Sequence, residues 1–220
     1  MRLIAQGRDC DVFDLGDGTV LRRRRDGRSL EPEGDVMRHV AAHGFPCPIP
    51  HSVTGADMVL DRLDGPTMAE ALLADPTTER LREAGHQLAT LHDLLHEAPP
   101  LVAGGGCLLH LDLHPENVLM THGGPVVIDW TNAAHGPPEV DVAMTWVILE
   151  PLRVFPEVDE LLVAFLHASG LEKAKRSLRI AIERRLADAN ITEHERTVVR
   201  SLAEEQGGHS APVAQRPEPS

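Results

Sequence analysis

The middle of the chain reads His110-Leu-Asp-Leu-His-Pro-Glu-Asn-Val-Leu-Met120, then Thr121-His-Gly-Gly124, then Pro125-Val-Val-Ile-Asp-Trp130. Two apolar segments flank a glycine turn, and each has polar residues at one end, which is the pattern of a β-hairpin. Such a hairpin would bring the polar side chains at the ends of both strands to one rim of the molecule. The residues placed there are Asp112, Asn117 and Asp129.

These three side chains are of the types that phosphoryl transfer needs. One carboxylate can orient the attacking hydroxyl, while an amide oxygen and a second carboxylate can hold Mg²⁺. An isolated Asp or Asn beside a turn more often only stabilises the turn. The succession of His-x-Asp, the Asn five residues later and an apolar strand that ends in Asp-Trp favours a functional site.

This pattern resembles the catalytic loop and metal-binding strand of the aminoglycoside phosphotransferase and choline kinase family, whose members are relatives of protein kinases. The resemblance implies that ATP and Mg²⁺ are bound, that Asp112 is the catalytic residue, and that Asn117 and Asp129 are metal ligands. His110 matches the structural histidine of the loop. Family members usually read His-Gly-Asp, and Leu111 stands here in place of the glycine.

The family also keeps a lysine that grips the phosphates, but the only lysines of this chain are Lys173 and Lys175. The third strand of the N-terminal part therefore offers Arg22, with Arg24 as the alternative if the strand is read in the other register. The resemblance implies an ion pair between this arginine and Glu33 in the following helix. Glu33 could equally be a solvated carboxylate in the first turn of that helix.

Three further positions are assigned by the resemblance. Residues 58–63 resemble the hinge between lobes, so Asp61 and Leu63 are expected beside the adenine. Residues 6–12 occupy the place of the nucleotide loop, although they contain one glycine where protein kinases have three. Asp141, near the start of the helix after the metal strand, is expected to hold the catalytic loop by hydrogen bonds.

Apolar periodicity predicts a small antiparallel sheet with one helix, followed by a mainly helical region. The expected class is therefore α+β, and the resemblance implies a protein-kinase-like fold with two lobes. The boundaries are an N-terminal nucleotide-binding lobe at 1–63, a C-terminal catalytic lobe at 64–206, and a disordered tail at 207–220. Helices are expected at 31–43, 78–97, 138–150, 157–169 and 171–187, and from Thr192, where Thr-x-x-Glu suits a capping box.

The formal net charge of −13 disfavours nucleic acid as a partner and would suit a cationic small molecule. An apolar run of the length that a membrane helix requires is missing, and so is a signal peptide, so the predicted compartment is the cytoplasm. His92 and His96 have the spacing of a zinc-binding pair but lack a third ligand nearby, and we expect them to be solvated.

The sequence thus predicts a small-molecule kinase, which moves the γ-phosphoryl group of ATP to a hydroxyl. A binding module of the pseudokinase type, which holds nucleotide without turnover, is the main alternative because the lysine is absent and the glycine loop is thin. A protein kinase is disfavoured, since Trp130 is not followed by the glycine of Asp-Phe-Gly and no Ala-Pro-Glu segment follows.

Overall fold

The N-terminal part of the chain forms one antiparallel sheet of five strands in the order β1-β2-β3-β5-β4. The computed structural model describes residues 1–7 and 9–207. The turn between β2 and β3 is the predicted Gly16-Asp17-Gly18, and both of its glycines have positive φ. The strands are β1 (Arg2–Gln6), β2 (Cys10–Asp14), β3 (Thr19–Arg24), β4 (Pro50–Thr54) and β5 (Asp57–Asp61).

Strand β3 lies in the interior of this sheet, between β2 and β5. Arg22 pairs with Val12 on one side and with Met58 on the other. An alternative interpretation of the sequence was that residues 22–25 form an exposed run of charges on an edge strand. The sheet order excludes the edge position, although Arg23 and Arg25 are indeed exposed.

Helix α1 (Glu31–Ala42) covers the sheet with its apolar face, on which Val36, Met37 and Val40 are buried. Gly44 follows with φ of +84°, so the helix stops at the glycine that the sequence indicated. Strand β4 was not predicted, because its sequence, Pro-His-Ser-Val-Thr, has little of the apolar alternation that marks a strand.

The rest of the described chain is mainly helical and carries two small hairpin-like sheets. The helices are α2 (Met68–Ala74), α3 (Thr78–Glu97), α4 (Pro138–Leu149), α5 (Pro156–Ser169), α6 (Leu171–Ala187) and α7 (Glu193–Gly207). The sheets pair β6 (Cys107–Leu109) with β9 (Ala134–Gly136), and β7 (Val118–Thr121) with β8 (Gly124–Val127). The second pair is the predicted hairpin, whereas α2 and the first pair were missed.

The helical part is built around α4, in which residues 140–149 are all buried. Helix α3 packs closely against α5 at Gly85, where a Cβ atom would lie 2.5 Å from the backbone oxygen of Leu161. At α7 the predicted capping box is present, since Thr192 and Glu195 exchange hydrogen bonds between side chain and backbone. This helix runs to Gly207, and the predicted tail after it lies outside the described residues.

Across residues 1–7 and 9–207, no helix combines the length and the apolar character that a membrane span requires.

Candidate active site

A cleft of about 1300 Å³ runs between the N-terminal sheet and the helical part. All seven residues that the sequence nominated lie in its wall, although they come from five separate segments of the chain. They are Arg22, Glu33, Asp61, Leu63, Asp112, Asn117 and Asp129. The structure thus brings the predicted set together, while the role of each residue stays a prediction.

Asn117 closes the predicted catalytic loop onto Asp112. Its side-chain Nδ2 donates to the backbone oxygen of Asp112 at 2.8 Å and lies 3.2 Å from Nε2 of His114. The backbone oxygen of Asn117 accepts from the N–H of Ile128 at 3.0 Å, which joins the loop to the residue before Asp129. Because the amide nitrogen makes these contacts, the amide oxygen of Asn117 is the atom available for a cation.

Asp141 anchors the same loop from α4. Its carboxylate accepts from the backbone N–H groups of His110 at 3.0 Å and Leu111 at 2.6 Å, and it lies 3.0 Å from Nε2 of His96. The side chain is fully buried. Burial would raise the pKa of this carboxyl, but the hydrogen bond to His96 and the nearby histidines outweigh burial and lower the pKa to about 2. The structure shows the hydrogen bonds that the sequence predicted for Asp141.

Leu111 has φ of +64°, a left-handed conformation that a side chain makes unfavourable by roughly 1–2 kcal/mol. Glycine takes this conformation without that cost, which gives a physical reason for the His-Gly-Asp reading of the family that the sequence resembles. In this chain the Leu111 side chain is only 2% exposed, and its N–H is held by Asp141. Burial of the leucine offsets the backbone strain.

Arg22 joins the N-terminal part of the chain to the helical part across the cleft. Its guanidinium forms an ion pair with Glu33 and donates to Oδ1 of Asp129 at 2.9 Å and to the Thr131 hydroxyl at 3.1 Å. Burial opposes its charge, but Glu33 and Asp129 outweigh burial and raise the pKa of Arg22. Arg24 instead lies 3.1 Å from Asp26. Arg22 and not its alternative Arg24 therefore lines the cleft, and Glu33 is buried rather than solvated.

The environment of Asp129 keeps its carboxylate ionised. Burial raises the pKa of Asp129, but Arg22 and the Thr131 hydroxyl, 2.8 Å away, outweigh it and hold the pKa below its ordinary value. Thr131 was missed by the sequence analysis, since a threonine two residues after the Asp has no feature that distinguishes it. An ionised carboxylate and an amide oxygen that line the same cleft are donor types that suit Mg²⁺, so Asn117 and Asp129 fit the ion that the resemblance implies.

The segments predicted to be the hinge and the nucleotide loop are each held by a backbone hydrogen bond. The N–H of Arg62 donates to the oxygen of Gly18 at 2.9 Å, which holds the chain between Asp61 and Leu63 beside the sheet. In the nucleotide loop the N–H of Gly7 donates to the oxygen of Cys10 at 2.8 Å. Arg8, which belongs to the same predicted loop, lies outside the described residues.

The expectation that the histidines of α3 are solvated is wrong for His92 and His96. His92 is fully buried rather than solvated: its Nδ1 lies 2.8 Å from the backbone oxygen of Leu88 and its Nε2 lies 3.1 Å from the Thr145 hydroxyl. The His96 side chain is also largely buried, and it contacts Asp141. Among the described residues, no group of three or more His, Cys, Asp or Glu side chains could hold a metal ion. The contacts of His92 with Leu88 and Thr145 indicate a structural role inside the helical part.

We expect acid to destabilise the protein through His92 and His110. Burial lowers the pKa of both, despite the nearby Asp141 carboxylate. As the pH falls through about 6.5, the unfolded chain binds these protons before the folded one, so stability present above that pH is lost below it. Each histidine contributes a slope of up to about 1.4 kcal/mol per pH unit.

Urea denaturation between about pH 8 and pH 5 tests this expectation in the wild type and in His92→Gln. The histidines that both proteins share cancel in the difference. The unfolding free energy of the variant should therefore depend less steeply on pH, by the equivalent of about one bound proton. Parallel stability profiles for the two proteins would contradict the assignment.

The chain matches the model of one protein family. The model of the phosphotransferase enzyme family, APH, matches residues 1–104 and 93–180 of the chain. No curated protein matches at a significant level.

Solved structures are similar at low identity. Aminoglycoside phosphotransferase APH(4)-Ia is 14% identical with a TM-score of 0.63, over 94% of this chain and 88% of that one. The amicoumacin kinase, in complex with AMP-PNP, Ca²⁺ and Ami, is 12% identical with a TM-score of 0.56, over 94% and 88%. An ethanolamine kinase from Plasmodium vivax is 9% identical with a TM-score of 0.58, over 90% and 81%. This likeness confirms the predicted protein-kinase-like α+β fold.

Proposed function

Because this chain belongs to the phosphotransferase enzyme family, we propose that it transfers the γ-phosphoryl group of ATP to a hydroxyl of a small molecule. The observation that carries the proposal is the meeting of Asp112, Asn117 and Asp129 in one cleft, with Arg22 in contact with Asp129. Fold alone does not define a reaction, so the argument rests on these side chains. Similar structures hold nucleotides, since APH(4)-Ia was solved with ADP and hygromycin B and the amicoumacin kinase with AMP-PNP.

The proposed reaction assigns one task to each residue. Asp112 orients the acceptor hydroxyl and takes its proton as the new oxygen–phosphorus bond forms and the bond between the β–γ bridging oxygen and the γ-phosphorus breaks. Bound Mg²⁺ would neutralise phosphate charge, and Asn117 and Asp129 would hold it through their oxygens. Arg22 contacts the phosphates that remain in ADP. A planar guanidinium meets two oxygens at once, so it can replace the single point charge of a lysine.

The alternative function is nucleotide binding without turnover. One observation favours it: Arg22 donates directly to Asp129, so the arginine and the cation share this carboxylate. In the active enzyme, Arg22 has to turn from Asp129 toward the phosphates when Mg²⁺-ATP enters. Nucleotide binding with no ADP release, for any hydroxyl compound, would favour the binding module.

Asp129→Ala should lower acceptor-dependent ADP release by at least about a hundredfold, because transition-state charge stabilisation depends on the held cation. The variant should also lose the additional thermal stabilisation that Mg²⁺ gives in the presence of ATP. Asp35→Ala is the matched control, since Asp35 is an exposed carboxylate of α1 and pairs with Arg38. If Asp129→Ala and Asp35→Ala release ADP at the same rate as the wild type, the metal assignment is wrong.

A further inference from the structure

The cleft has room for more than the nucleotide. Pockets that hold one small molecule are typically about 300–1,000 Å³, whereas this cleft measures about 1300 Å³. Its wall continues beyond Asp112 along α2, the turn at residues 150–155, the first turns of α5 and the connection between α6 and α7. We call this part of the wall, together with the adjoining Glu116, the distal half of the cleft; it is continuous with the wall that contains Asp112.

Apolar side chains dominate the distal half and are open to the cleft. Leu73 of α2 is 79% exposed, Phe155 is 56% exposed and Leu152 is 44% exposed. Leu72 and Val158 lie beside them and are half-buried. Large apolar side chains that line a concave surface and remain exposed mark a ligand groove, because their hydration is unfavourable until a ligand covers them.

The charges of the distal half are largely compensated inside the protein. Arg185 is buried and lies 3.2 Å from Asp188 and 2.6 Å from Glu195, so two of the carboxylates there already have a cationic partner. Glu116 and Glu157 are the other carboxylates that line this half within the described residues. Two carboxylates can meet one or two amines, but they do not form the acidic surface that a polycation would need.

From the exposed apolar wall and its continuity with Asp112, we propose that the distal half binds the phosphoryl acceptor and that the acceptor is a hydroxyl compound with a large apolar body. Calling the bound compound an acceptor rests on the proposed function, whereas the binding site itself does not depend on turnover. The cationic small molecule that the net charge suggested stays a separate expectation, which the two carboxylates of this half could accommodate as one or two amines. The apolar body would cover Leu73, Leu152 and Phe155 and leave its hydroxyl at Asp112.

Calorimetric titration of the full chain in the presence of ADP and Mg²⁺ tests the site. The probes are hydrocortisone, which is polycyclic, uncharged and hydroxylated, and decanol; gentamicin serves as the polycationic comparison and ethanolamine as the small polar one. We expect the two apolar probes to bind more tightly than gentamicin and ethanolamine. Phe155→Ala and Leu73→Asn should each lower the affinity for hydrocortisone by about tenfold, because each removes apolar contact area.

Val154→Ala is the matched control. Val154 is 72% exposed and adjacent to Phe155 in the chain, but unlike Leu152 and Phe155 it does not line the cleft, so its truncation removes an apolar group next to the proposed site and not from it. It should leave the affinity for hydrocortisone within about twofold of the wild type. All three substitutions change exposed side chains, so we expect each variant to fold.

Each outcome decides one of the two proposals. Tight binding of the apolar probes, weakened by Phe155→Ala and Leu73→Asn but not by Val154→Ala, supports the site even if no probe stimulates ADP release. In that case the site stands, and the proposed function fails if no other hydroxyl compound stimulates ADP release either. Preferential binding of gentamicin, failure of both apolar probes to bind, or equal effects of all three substitutions would overturn the inference.

Discussion

Asp112→Asn should lower the rate of phosphoryl transfer to a hydroxyl acceptor by about 10²–10⁴-fold, the range that a positioned general base supplies. Asparagine has nearly the same shape but cannot accept the proton of the hydroxyl. The position is held by the backbone of the loop: the oxygen of Asp112 accepts from Asn117, and the N–H groups just before it are bound by Asp141. The geometry of the loop should therefore survive the substitution.

The measurement is kcat for ADP release with acceptor, together with the affinity for Mg²⁺-ADP by calorimetry. Loss of kcat with unchanged nucleotide affinity would locate the effect in the chemical step. Asp93→Asn provides the control, because Asp93 is exposed on α3 and lies outside the cleft wall. A kcat for Asp112→Asn within about tenfold of the wild type would show that Asp112 is not the base.

Asp141→Ala should lower the free energy of unfolding by about 3–5 kcal/mol, the range expected when one partner of a buried charged network is removed. The carboxylate accepts from two backbone N–H groups and lies 3.0 Å from His96, with no exposure to water that could replace these bonds. A domain of this size has a total stability of about 5–15 kcal/mol, so the loss is a large fraction of it.

Urea denaturation measures this effect, and Asp141→Asn keeps the experiment informative if the alanine variant does not fold. The amide offers one acceptor oxygen where the carboxylate offers two, so Asn should rescue part of the loss and leave a deficit of about 1–3 kcal/mol. Glu139→Ala, in the same first turn of α4, should change stability by less than about 1 kcal/mol. Equal stability of Asp141→Asn and the wild type would refute the anchoring role.

The sequence predicted the parts of the fold that local patterns determine. The hairpin at 118–127 follows from two apolar segments around a glycine turn, and α3 from an apolar stripe at helical spacing. The nominated site residues also met in one cleft, because the order of motifs along the chain fixed which strand ends come together. The lobe boundaries, the cytoplasmic location and the individual roles of the site residues stay predictions.

What the sequence did not predict depends on tertiary contacts. His92 reads as polar on a helix, and only packing against Phe165 and the contact with Thr145 make it a buried group. Strand β4 has a weak pattern and exists because β5 offers it an edge. Thr131 reaches Asp129 because residue 129 takes a left-handed conformation, which a sequence does not reveal.

Leu111 shows that a conformation, rather than a particular amino acid, is what the loop before Asp112 requires. Residue 111 is a leucine in the left-handed conformation. Its N–H donates to Asp141, and its side chain is buried in the protein interior. Evolution could therefore exchange the smallest residue for a bulky one at this point without redrawing the backbone, provided that the anchor beneath it was already in place. A search that demands the three letters His-Gly-Asp would miss this loop, whereas a search for a left-handed residue before the Asp would find it.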